Sequence, residues 1–409
     1  MKKIRSAHIV AIAFGIIVLF GMIGFLSVNS VLKPIYGAIF VYWDNDQSVS
    51  ENLSTITDTI DNVISENVYQ KNLYIDINGL AQRLIGKNVI DDVDVVSKTV
   101  KLKNGQLTFI RDKLDDEIIE DRAEQITSIN DYFQKKNIDF LYVQLPSKID
   151  EHDPQLPTGI EDYTMQNARY LSLLLSQKGI SQYNTIDVLQ NEYEGEWGDL
   201  FLKTDHHWTT EAAFLTYTKF ADHLNQTYNW EIDQSVYNAN NFSTYTYKDA
   251  FLGSQGKRVG RFYGGLDDIS VIYPNFETSF EYSRNKGVAK RTGDYRSTLV
   301  FENNITYNYH EDFCYQIHLG GDFGYVKIVN NNNPDGKKLL IIKDSYADPL
   351  ISLLSLCASE IELIDMRYFE DSMGVTLQEY LETSNPDMAM IMYSSLTMLN
   401  SDLYDFNLK

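Results

Sequence analysis

Basic residues are in short supply. Lys and Arg number 35 against 57 Asp and Glu, a formal net charge of −22. A surface of that sign repels nucleic acid, which argues against a general DNA or RNA binder. It also repels anionic polymers unless they meet a local basic patch. Cysteine is scarcer still, with Cys314 and Cys357 alone. Two cysteines do not make a disulfide framework. Outside the cytoplasm they can pair, or they can remain two separate buried thiols. No CxxC or Cys/His spacing points to a zinc site. Of the seven histidines only His206 and His207 are clustered, and no internal repeat is present. What the chain does have is enough apolar sequence, 44% of its residues, for one large core or two smaller ones. Its 28 Tyr and 20 Phe suit cores and stacking surfaces for sugars.

One apolar run stands apart. His8 to Val28 carries no formal charge and matches the length of a bilayer-spanning helix. Lys2, Lys3 and Arg5 precede it, and one lysine follows before Val41. That bias predicts the N-terminus inside and the rest outside. A cleaved signal peptide would have a shorter apolar region and a small-x-small site, which favours an uncleaved anchor. The expected organisation is a cytoplasmic tail over 1–7, a transmembrane helix over 8–28, a juxtamembrane stalk or amphipathic helix over 29–72, and an extracytoplasmic domain over 73–409.

Within that domain, short turn-rich signals from Tyr74 to Ile110, including Asn78-Gly79 and Asn104-Gly105, predict strands or hairpins. Asp116 to Lys136 reads as a helix, Phe140 to Val143 as a buried strand, and Tyr163 to Gln177 as another helix. The alternation returns with Leu339 to Ile342, Pro349 to Cys357, Ile361 to Ile364, Thr376 to Thr383 and Met388 to Met392. Apolar runs alternating with helices predict an α/β layer with a mainly parallel sheet. The Tyr-, Asn- and Gly-rich stretch over about 235–335 reads as a β-rich insertion.

Two local features carry chemistry. Thr204-Asp205-His206-His207-Trp208-Thr209 lies on a loop before a helix that Thr209 or Thr210 can cap. Lys343-Asp344-Ser345-Tyr346 follows the run Leu339 to Ile342, which places Ser345 at the carboxyl edge of the sheet, where such folds bind ligands. Its own N–H, near a helix start, can help hold an oxyanion. Serine needs a base to take its proton; histidine does so near neutral pH, and a carboxylate orients the imidazole. The proposal from spacing is Ser345 as nucleophile, His207 as base and Asp205 as its partner, with His206 pointing elsewhere. Metal binding by Asp205, His206 and His207 competes, but a metal-dependent phosphoesterase needs further Asp and His clusters. No metal and no cofactor is expected.

TDHHWT followed far downstream by IIKDSYADP resembles the DHHW protein family. That family lies within the SGNH-like group that includes the alginate O-acetylation proteins, in which Asp and His precede Ser. Pro146-Ser147-Lys148, Phe251-Leu252-Gly253-Ser254, Asp365-Met366-Arg367-Tyr368 and the strand ending at Tyr393 look like further family features. The resemblance implies a permuted SGNH-like fold and serine-dependent acetyl transfer to a polysaccharide. It also implies a membrane-bound O-acyltransferase partner supplying acetyl, with Arg367 and Tyr393 lining the pocket. Gly253 and Ser254 are candidates for oxyanion donors. Lys343 departs from the usual Gly of Gly-Asp-Ser. An esterase using water as acceptor and a non-catalytic glycan-binding factor are the alternatives. In the binding reading, Lys257, Arg258 and Arg261 either serve an anionic polymer or form a solvated loop.

Overall fold

The computed structural model describes residues 48–66, 70–90, 98–150 and 153–408, together with Gly15 and Leu19. The tail and the anchor expected over 1–28 otherwise lie outside the described residues. Among the described residues, no helix is long and apolar enough to cross a membrane.

The chain divides between Asn78 and Gly79. In the first unit, helix α1 (Val49–Glu66) starts at a capping box: Glu51 N–H donates to Ser48 Oγ at 3.3 Å, and Ser48 N–H donates to Glu51 Oε2 at 2.8 Å. Helix α2 (Lys71–Leu84) replaces the turn expected at Asn78-Gly79. Gly79 serves close approach instead, since a Cβ there would lie 2.0 Å from the Val259 carbonyl oxygen. Asn104-Gly105 does mark a hairpin. Strands β1 (Val89–Ile90), β2 (Thr99–Lys101) and β3 (Leu107–Phe109) form a small antiparallel sheet, and Gly105 takes φ +89° between the last two.

The helices α3 (Asp116–Lys135), α4 (Thr164–Gln177), α5 (Thr185–Glu192) and α6 (Thr210–Tyr228) alternate with strands β4 (Asp139–Leu145) and β5 (Gln182–Asn184). There follow β6 (Phe242–Phe251), α7 (Ser254–Val259), β7 (Asp267–Pro274), β8 (Phe280–Arg284), β9 (Ala289–Gly293) and β10 (Tyr325–Asn330). The chain closes with β11 (Lys338–Lys343), α8 (Asp348–Leu354), β12 (Glu360–Ile364), α9 (Leu377–Thr383) and β13 (Met388–Ser394).

The central sheet has eight strands in the order β5-β4-β13-β11-β12-β10-β8-β9. The first five run parallel. The last three add antiparallel, so the sheet is mixed rather than mainly parallel. Three of the five strands in the stretch read as a β-rich insertion therefore belong to this sheet. Tyr282 of β8 and Val326 and Ile328 of β10 pack into the same core as Leu339 and Ile341 of β11. Only β6 and β7 stand apart, as a two-stranded ribbon.

The apolar run of β11 is continuous because both its faces are covered. Leu339 and Ile341 enter the layer with α6 and α8, while Leu340 and Ile342 enter the layer with α3 and α4. Cys314 and Cys357 are separate buried thiols. Cys314 donates to the Ala250 carbonyl at 3.3 Å, and Cys357 Sγ lies 3.4 Å from the Tyr217 hydroxyl.

Candidate active site

The carboxyl ends of β4, β13 and β11 meet at one edge. β11 ends at Lys343, and the next residue braces the turn that presents Ser345. Asp344 Oδ1 accepts from Tyr346 N–H at 3.1 Å, and its Oδ2 accepts from Ser394 N–H at the end of β13, at 2.9 Å. Ser345 thus stands one short turn ahead of α8.

The loop carrying Asp205 and His207 is clamped from two sides. From β7, Asp267 accepts from Lys203 N–H at 2.5 Å, from Thr204 N–H at 2.7 Å and from the Thr204 hydroxyl at 2.5 Å. From the end of β4, the buried Lys148 ammonium donates to the carbonyls of Leu107, Leu202 and Asp205 at 2.6, 2.6 and 2.5 Å. Burial pulls Lys148 down to about 8, against the pull of Asp267 and Asp205. Thr209 then caps α6, its Oγ1 accepting from Ala212 N–H at 3.1 Å. Trp208 is fully buried and donates Nε1–H to the Tyr346 carbonyl at 2.9 Å, tying this loop to the Ser345 turn.

These clamps bring three side chains into line. Asp205 Oδ1 lies 2.5 Å from His207 Nδ1, and His207 Nε2 lies 3.0 Å from Ser345 Oγ. Asp205 Oδ1 also accepts from His207 N–H at 3.0 Å, and Oδ2 accepts from Ser254 N–H at 2.6 Å. Burial pushes the Asp205 carboxyl up, but His206, His207 and the Ser254 amide pull harder and hold it well below the usual carboxylate range. The His207 ring has an aromatic neighbour on each face. The His206 centroid is 3.9 Å away and the Tyr315 centroid 3.8 Å, and two rings this close cannot share one face.

His206 does not point away from the site. It lines the cleft, with Nδ1 3.0 Å from Ser254 Oγ. Loss of water and the nearby His207 pull it down to about 3, so it stays neutral. Donor atoms of Asp205, His206 and His207 lie within 4.8 Å of one another, a spacing a metal can bridge. Each is already engaged: Asp205 and His207 with one another, and His206 with Ser254. The arrangement fits a proton relay better than a ligand set.

A cleft of about 440 Å³ opens over Ser345, walled by His206, Tyr346, Arg367, Ser394 and the segment 396–403. Arg367 lines it. Asp365 accepts from its Nε–H at 2.9 Å and its Nη2–H at 2.5 Å, and Asp322 Oδ2 lies 3.1 Å from Nη2. Tyr393 does not reach the cleft. It is fully buried, and its hydroxyl donates to the Leu403 carbonyl at 2.5 Å. Gly253 and Ser254 do not offer oxyanion donors either. Gly253 N–H donates to Thr204 Oγ1 at 2.8 Å and Ser254 N–H to Asp205, so the first braces the residue before Asp205 and the second orients the Asp205 carboxylate. Lys257, Arg258 and Arg261 are not on a solvated loop. They lie on α7 and the turn after it, against the rings of Phe313, Phe109 and Phe262.

Four residues at the site were missed by the sequence reading. Tyr315, His318 and Asp322 come from the turn-rich segment before β10, which Leu319, Gly320 and Gly321, all at positive φ, bend toward the serine edge. The pair Gly320-Gly321 is the one signal in sequence. The fourth is Lys343, noted only as a missing glycine. It is 1% exposed and bridges Asp322 at 3.0 Å and Asp348 at 2.8 Å.

The fold is SGNH-like. Residues 106–251 match the family described as SGNH hydrolase-like domain, acetyltransferase AlgX. That stretch contains Asp205 and His207 and stops short of Ser345. Among solved structures, the chain is similar to Bacillus cereus PatB1 with sulfonyl adduct, at 18% identity and a TM-score of 0.63 over 76% of this chain and 99% of that one. It is also similar to a DHHW family protein from Eubacterium siraeum, at 17% identity and a TM-score of 0.57 over 76% of this chain and 96% of that one. The resemblance read from TDHHWT and IIKDSYADP is borne out. No curated protein matches the chain.

Proposed function

We propose that this protein is an O-acetyltransferase acting on a polysaccharide through an acyl-Ser345 intermediate. The observation that carries the reading is the line Asp205 Oδ1, His207 Nδ1, His207 Nε2, Ser345 Oγ, with steps of 2.5 and 3.0 Å, opening onto a cleft. Ser345 Oγ attacks the carbonyl carbon of an acetyl donor while its proton passes to His207 Nε2. Asp205 holds the Nδ1 proton and stabilises the imidazolium. His207 then returns the proton to the leaving group, and acetyl-Ser345 remains. A sugar hydroxyl next gives its proton to His207 and takes the acetyl group, which regenerates Ser345. Arg367 and Arg111, which both line the cleft, are the cationic side chains available to meet substrate.

The similarity to an acetyltransferase family over 106–251 supports acetyl as the group moved. The apolar run 8–28 supports a single anchor with the domain from 73 onward outside the cytoplasm, where a membrane-bound O-acyltransferase can supply acetyl. Intact-mass measurement of the full-length chain, after incubation with an activated acetyl ester, tests the nucleophile. An acetyl adduct on the wild type, mapped to Ser345 and lost in Ser345→Ala, is expected. Full turnover by Ser345→Ala would sink the reading. Acetylated sugar among the products marks a transferase, whereas free acetate alone would make water the acceptor.

A further inference from the structure

His207 must become a cation twice in each cycle, and the chain surrounds it unevenly. Asp205 lies on its Nδ1 edge and Ser345 on its Nε2 edge. His206 covers one face and Tyr315 the other, with the Tyr315 ring tilted by only 17°. Tyr346 is a looser neighbour at 5.3 Å between centroids. Farther out, Asp344, Asp322 and His318 feel its charge. The neighbouring imidazoles do not compete for the proton: desolvation pulls both His206 and His318 down to about 3. Burial also keeps the Tyr315 phenol protonated. Its face therefore presents the negative side of a neutral ring to the imidazole.

Tyr315 is held firmly enough to matter. It is 7% exposed, its hydroxyl donates to the Tyr346 carbonyl at 3.3 Å, and its ring meets the His318 ring edge-on at 5.6 Å. The Tyr346 carbonyl is the same one that Trp208 grips, one residue past Ser345. Tyr315 thus touches the base with its face and the nucleophile's turn with its hydroxyl.

We propose that Tyr315 is a positioning residue for His207, whose ring face keeps the imidazole in register with Ser345 Oγ and stabilises it while it carries the proton. The proposal rests on the reading of Ser345 as nucleophile and His207 as base. An aromatic face under a desolvated cation is an attractive contact, and a cation formed only during the reaction gains it only then. The contact favours acceptance of the serine proton and disfavours a tilt of His207 away from it.

The test uses the full-length chain with ring-labelled histidine. It compares Tyr315→Phe with pentafluorophenylalanine at 315, which keeps the shape of the ring and reverses the sign of its face. The His207 ring is titrated by NMR, and ester turnover is followed against pH. The phenylalanine variant is expected to keep the His207 midpoint. The fluorinated ring is expected to lower it by about half a pH unit or more, and to move the acid limb of turnover with it. Turnover number should fall several-fold while KM for the ester holds. Equal midpoints in the two variants would overturn the proposal, because a merely structural ring is indifferent to the sign of its face. Failure of the underlying reading is seen separately, as full turnover by Ser345→Ala, and it would remove the base role from His207 whatever the titration gives.

Discussion

At position 346 a phenol hydroxyl is shut away from water, and it has no hydrogen-bond partner among the described residues. A polar group stranded in this way costs stability. Tyr346→Phe should therefore leave the free energy of unfolding unchanged or raise it, by up to about 1 kcal/mol, as read from unfolding in urea. A drop in turnover in that variant would mean that substrate supplies the missing partner. Lys148 is the opposite case, a buried ammonium with three carbonyls to satisfy. Lys148→Met keeps the bulk and strands all three. It should cost about 3 kcal/mol or more and loosen the Asp205 loop, so that turnover falls further than the folded fraction does. Trp208→Ala removes a buried indole and its bond to Tyr346, a loss of roughly 3–5 kcal/mol by the same measurement.

Strand ends and turns set the site, and they differ in how far they can be read. The β11 run was legible from Leu339 to Ile342 because both its faces are covered. The helix Leu377–Thr383 was legible because Thr376 and Glu379 form a capping box. Asp205, His207 and Ser345 were legible because their residue types sit at loop positions next to such elements. Asn78-Gly79 misled because a glycine needed for close approach looks like a glycine needed for a turn. Tyr315, His318 and Asp322 were hidden because nothing in their local pattern reports a contact made to another segment. Tyr393 shows the converse, an aromatic at the right strand end whose side chain goes to the wrong layer. The Lys343 network is likewise a property of paired elements. Burial opposes its charge, but Asp348, Asp322 and Asp365 raise the ammonium above its ordinary value, while Lys343 and Arg367 draw Asp322 down to about 2 against its burial. Lys343→Gly, which restores the residue usual in Gly-Asp-Ser, should not be benign here. It leaves Asp348 without its cation and Asp322 with Arg367 alone, and should cost roughly 3–5 kcal/mol in chemical denaturation.

For the molecule as a whole, acid should be the weak side. Burial holds His318 at about 3 in the fold, against an ordinary value of 6.5. Between those values the unfolded chain binds a proton that the fold refuses, so the contribution of His318 to stability is complete above about pH 6.5 and is lost as pH falls toward about 3. His318→Gln can keep the contact with Thr210 without titrating, and it should flatten that slope in melts taken across the window. A different consequence concerns time. The middle strand of the five parallel ones, β13, lies between β4 and β11 yet follows both in the chain. While the ribosome is still short of Met388, β4 and β11 have no shared neighbour, and Asp344 lacks the Ser394 amide that braces the Ser345 turn. Ser345 is thus synthesised before the frame that braces its turn. A growing chain with that serine already made has no finished cleft edge, and the geometry arrives with the segment that closes the sheet.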